Sequence, residues 1–205
     1  MAAEQSRSIF DGMQVTPLGA RSSIEDVRAV TEMNKGNIDK LGVESLAFVY
    51  GVARIDNNLD VIASVENYVS EQTDLYGVAL RSGMGMVLAE SFSDAFLVWS
   101  TQGKCFEPPA ELQNKTTEWI VEGLTSEELT VEQKALIKPI VINLLGRIGD
   151  EVGESILDEV HAKTIMEKGG ITDGEIVAYQ QQLIEQVQNK TVNESLREVF
   201  GKVEE

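Results

Sequence analysis

Four hydroxyl residues stand three positions before a Glu or Gln where apolar periodicity begins: Ser22-x-x-Glu25, Thr130-x-x-Gln133, Thr172-x-x-Glu175 and Thr191-x-x-Glu194. In such a capping box the hydroxyl accepts a backbone N–H of the first helical turn. The downstream carboxylate or amide accepts the N–H of the cap residue in return. The first N–H groups of a helix have no partner inside it, so these boxes mark helix starts. Apolar residues at intervals of three and four follow each one. The sequence therefore predicts an all-α chain, a multi-helix bundle of about seven to eight helices with an extended N-terminal arm.

Residues 1–21 form that arm in this reading, flexible or docked through Ile9, Phe10, Met13, Val15 and Leu18. Residues 22–205 read as a single helical domain. Its first helix carries Ile24, Val27, Val30 and Met33 on one stripe, with Gly36 as a natural stop. From Ile38 to Ile62, apolar residues fall in heptad phase through Leu41, Phe48, Val52, Ile55 and Leu59. That phase predicts one long helix or two nearly collinear ones. A β-hairpin turning at Asp56-Asn57-Asn58 is the alternative left open at this point.

Gly77 and Gly83 frame an expected connection, followed by a helix over 84–101 in which Gly85, Ala89 and Ser93 line up four apart. Pro108-Pro109 then interrupts the chain and places a lobe boundary near 103–109. Leu112, Thr116, Trp119, Ile120 and Leu124 pattern the next helix. The one after it, over 131–148, is apolar nearly all round between Ile137 and Leu145, which predicts a central position. Pro139 within it predicts a kink. Ile148, Val152, Ile156 and Val160 suggest a further helix, and Ile176 to Val187 and Val192 to Val203 pattern the last two.

The charge narrows the function classes. Of 205 residues, 34 are acidic and 17 basic, a net charge of −17. Phosphate contacts need a positive surface, so this balance argues against nucleic acid and against anionic membranes. No apolar run has the length of a membrane span. The expected compartment is the cytoplasm or a virion or similar assembly; it becomes periplasmic or secreted if a leader has been removed ahead of Ala2-Ala3-Glu4-Gln5. Cys105 is the single cysteine and predicts no internal disulfide.

Catalytic equipment is sparse. The sequence has no Walker-type loop, and Gly83-Met84-Gly85 lacks both the third glycine and the strand of a dinucleotide fingerprint. With one histidine, nucleophilic catalysis would have to route through His161. Glu154, Asp158 and His161, spaced four and three, would share a helical face and could ligate a metal; this is the basis of an alternative reading, a metal-dependent helical enzyme. The favoured expectation has no catalytic residue, no metal and no cofactor. Residues 96–145 share a pattern with small helical immunity proteins that block bacterial toxins, but lack the second cysteine such a pattern brings, and identify no family.

What remains is contact surface. Large aromatics and unspent apolar positions nominate Phe10, Val49, Tyr50, Trp99, Phe106 and Trp119 for binding, with Tyr68 and Tyr76 near the heptad segment. The sequence thus points to a non-enzymatic acidic helical protein-interaction module: an inhibitor or immunity protein, an adaptor, or an assembly subunit. Its partner would be another protein with a basic or apolar patch, or a second copy in a homo-oligomer.

Overall fold

A computed structural model describes residues 18–104, 107–148 and 155–200, with side chains in the last helix described as far as Gln186. The chain is all-α, and no strand occurs among the described residues. The helices are α1 (Ile24–Met33), α2 (Val43–Ile55), α3 (Leu59–Glu71), α4 (Leu75–Val87), α5 (Ser93–Thr101), α6 (Ala110–Thr125), α7 (Val131–Arg147), α8 (Glu159–Gly169) and α9 (Asp173–Phe200). A 3₁₀ turn at Ile38–Lys40 precedes α2, and a π turn at Leu88–Phe92 joins α4 to α5.

The capping boxes behave unevenly. Thr130 and Gln133 exchange both expected hydrogen bonds, as do Thr172 and Glu175. The first box sits one residue later than expected, on Ser23 and Asp26. At Thr191 no helix begins, because α9 runs on unbroken to Phe200.

The heptad segment is two helices folded back on each other, which corrects both the collinear helix and the hairpin of strands. Asn57 adopts a left-handed φ of 52° in the turn, and the Asn58 side chain accepts from the Val61 N–H to cap α3. Across the fold the Tyr50 hydroxyl donates to Glu66 at 2.8 Å while accepting from Arg54 Nε at 3.0 Å. In a continuous helix Tyr50 and Glu66 would stand about 24 Å apart. Heptad spacing could not detect the reversal, because each arm of a helical hairpin presents the same apolar phase to the core.

The central helix is α2. Every residue from Ser45 to Ala53 is buried, and Gly51 makes this possible. A β-carbon there would fall 2.4 Å from the Phe92 ring. Phe92 in turn meets Phe48 and Trp99 edge-on, at centroid distances of 5.4 and 5.5 Å. Such edge-to-face pairs add stabilisation beyond the area they bury.

α4 begins earlier than the sequence suggests. Asp74 caps it by accepting from the Gly77 N–H, and a β-carbon on Gly77 would lie 1.8 Å from the Gln72 carbonyl oxygen. The glycine is therefore a helix-start residue packed under the preceding turn, not part of a connection. The small residues further along are filled by neighbours. α6 crosses at Gly85, and Ser93 Oγ accepts from the Ile156 N–H at 3.0 Å while donating to Leu88 O in the π turn. One continuous apolar cluster runs from Leu18 to Ile171 and includes Trp99 before, and Leu112 after, the paired prolines.

Candidate functional site

α7 is where sequence and structure differ most usefully. An apolar helix of this kind is expected to be covered on all sides. Instead one face packs inward through Val141, Ile142, Leu144 and Leu145, while Ala135, Leu136, Pro139 and Ile140 face solvent. Leu136 is 74% exposed and Ile140 45% exposed. The expectation that α7 lies at the centre is corrected accordingly.

Beside this face runs the N-terminal half of α4, which presents Leu75 (43% exposed), Tyr76 (55% exposed) and Ala79. The two helices run in the same sense. Ile137 comes near Gly123 and Ser82, and Arg147 at the far end of α7 reaches Glu90 and Asp94, which follow α4 in the chain. Between them lies an open groove of about 520 Å³, floored by Leu129 and Ile137 and walled by Leu75, Tyr76, Leu136 and Met86. Its size falls within the usual range for binding clefts of about 300–1,000 Å³. The neighbouring Tyr76 hydroxyl, and then burial, raise the Tyr68 hydroxyl above its ordinary pKa.

One end of the groove is acidic. Asp74 caps α4, Glu127 and Glu128 precede Leu129, and Glu132 lies in the first turn of α7; all four are exposed. The Glu132 carboxyl is held below its ordinary value by its own backbone N–H and then by Thr130. Lys134 is the nearby cation, 3.5 Å from the Thr125 carbonyl oxygen. No protein-family model, curated protein or solved structure matches this chain.

The residues nominated from sequence are mostly elsewhere. Val49 and Tyr50 are wholly buried in α2, which corrects the expectation that they face outward. Trp99 and Trp119 are also core. Trp99 donates to the Ser22 carbonyl oxygen at 3.1 Å, and Trp119 packs on Tyr50 at a centroid distance of 5.2 Å. Large aromatics inside a chain of this size bury their rings first, and their polar atoms find internal partners. Phe10 and Phe106, like Cys105, lie outside the described residues. Of the described aromatics weighed for contact, Tyr76 is the one that lines the groove.

The helical face expected for the metal constellation is interrupted at Asp158. Asp158 is extended, with φ −98° and ψ −179°, and caps α8 by accepting from the Val160 and His161 N–H groups. Its carboxylate also lies 2.7 Å from His161 Nδ1, and these contacts hold its pKa below the ordinary value. Glu154 lies outside the described residues. Among the described residues no group of three or more His, Cys, Asp or Glu is placed to hold a metal ion.

Two further clefts offer less. Around Arg81 and Lys115 lies a space of about 390 Å³ whose charged lining groups already have partners. Arg81 forks onto Glu122 and also donates to the Val69 and Gln72 carbonyls, while Lys115 pairs with Glu118. A space of about 690 Å³ between α7, α8 and α9 is bordered by Ile148, where the described chain breaks off. No described helix is long and apolar enough to cross a membrane.

Proposed function

We propose that the chain is a non-enzymatic protein-interaction module that engages a partner protein through the α4–α7 groove. It would work by occupying a surface, as an inhibitor, an adaptor or an assembly subunit does. The observation that carries this reading is the open face of α7. Leu136 and Ile140 belong to a helix that is apolar nearly all round from Ile137 to Leu145, yet the described residues leave one of its faces open. Large apolar side chains grouped on a surface and rimmed by charge mark contact sites more often than scattered single ones do. Helix-lined grooves of this kind are a recurrent way of holding an apolar helix or segment of another protein.

The test is site-specific photocrosslinking in the native source, with the reactive residue at position 136 and, as a control, at exposed Lys163 on α8. The proposal expects one protein captured from position 136 and not from position 163. That protein, once purified, should bind the wild-type chain and fail to bind Leu136→Glu. A partner that binds both chains equally would refute the groove as the site.

A further inference from the structure

The groove has a direction, and its charge says what lies in it. From Leu75 to Met86 the α4 wall runs about 16 Å, at the usual rise of about 1.5 Å per residue, so the groove matches roughly three turns of an occupying helix. Its lining over this length is mainly apolar, with Ser82 and Gln133 as the polar side chains beside the Tyr76 hydroxyl. Exposed carboxylates flank the lining where α4 and α7 start, Asp74 beside Leu75, Glu127 and Glu128 before Leu129 and Glu132 beside Gln133, against the ammonium of Lys134. Arg81 and Lys138, beside Ser82 and Ile137, are paired with Glu122 and Glu175. At the opposite end Glu90 and Asp94 are engaged by Arg147.

We infer that the occupant is a short amphipathic helix of another protein, with large aliphatic side chains along one face and lysine or arginine at one end. This rests on the reading of the groove as the partner site. A second copy of this chain is the poorer fit. Two-fold pairing sets the same patch against itself, so each cluster of four carboxylates would come near its own image or lie unpaired beside apolar surface. Like charges brought together oppose association, whereas opposite charge speeds encounter and fixes register. A basic end on the incoming helix satisfies the acidic end, and aliphatic residues at i, i+3 or i+4, and i+7 fill the space between Tyr76 and Leu136.

The experiment uses the full chain and two synthetic helical peptides of about three turns. Both carry leucines at i, i+3 and i+7; one ends in three lysines and the other in three glutamates. Binding is followed by amide chemical shifts, and self-association by sedimentation. The lysine peptide should bind, shift amides of α4 and α7, weaken as salt rises, and lose at least about tenfold in affinity against Leu136→Glu, the loss typical of a central apolar contact. Circular dichroism of Leu136→Glu, and a parallel Leu136→Ala variant, guard against loss of fold. Equal binding of the glutamate peptide would overturn the basic chemistry while leaving the groove as a contact site. A wild-type dimer that Leu136→Glu dissociates, with neither peptide bound, would assign the groove to a second copy and overturn the inference. Absence of both peptide binding and self-association would overturn it as well. The reading of the groove as a partner site fails separately, through a native partner indifferent to Leu136→Glu.

Discussion

The Ser82 hydroxyl occupies the space that a β-carbon on Gly123 would need, 2.1 Å from its position. This notch sets how closely α4 and α6 approach, and α6 in turn leads into the loop and helix that form the other side of the groove. Arg81, one residue earlier, forks onto Glu122 at 2.7 and 2.8 Å and fixes the same crossing from its edge. The groove is therefore held by a crossing with little slack.

Gly123→Ala should destabilise the fold although alanine is the better helix former. The gain in propensity is about 1 kcal/mol, while forced overpacking costs about 1–3 kcal/mol, and here the clash reaches Ser82 Cβ at 2.7 Å as well. Ser82→Ala should be neutral or slightly stabilising, because the buried hydroxyl has no hydrogen-bond partner. Urea unfolding of the two single variants and the double variant checks both signs. In the double variant the alanine at 123 should cost less.

Val49→Glu should unfold the protein. Val49 has no exposure, and a buried carboxylate without a partner is among the few changes that cost more than about 4 kcal/mol. Leu136→Glu, on the open face of α7, should stay within about 0.5 kcal/mol of the wild type. Comparing thermal melts of the two separates core from surface directly.

Asp158→Ala should cost about 1 kcal/mol by removing the cap of α8, whereas Asp158→Asn should cost little, since asparagine caps as well. A metal-ligand role would predict damage from both. Denaturant midpoints for the pair, with metal analysis of the wild type, distinguish the two accounts.

The contact between α7 and the start of α9 should weaken in acid. Lys138, first, and the Thr172 backbone, second, hold the Glu175 carboxyl down at about 2, below its ordinary 4.5. The stabilisation is thus present above pH 4.5 and lost as pH falls from there toward 2. The pair is partly exposed, so added salt should blunt the effect. Glu175→Gln should flatten the dependence of stability on pH across that window, as measured by unfolding midpoints.

Much of this fold was legible because capping and apolar spacing are local. Thr130 with Gln133 and Thr172 with Glu175 act where the sequence places them, and Leu112 to Leu124 are buried along α6 as their spacing predicts. What the sequence hid was the direction of the chain between elements. The turn at Asn57 reverses a heptad that never changes phase. The spacing of Ile156 and Val160 suggests a helical stripe, yet Asp158 between them is an extended cap. The site was half visible. The apolar excess of α7 stands in the sequence, but whether Leu136 is covered depends on which helix reaches it. In this fold α2 takes the centre, so α7 keeps an open face.

The most direct test of the account is the affinity of the crosslinked partner for wild type and for Leu136→Glu, measured by titration calorimetry on purified proteins of equal helicity. The account predicts a loss of at least about tenfold from that single exposed substitution, as for a central contact residue. Equal affinity for the two chains would contradict it.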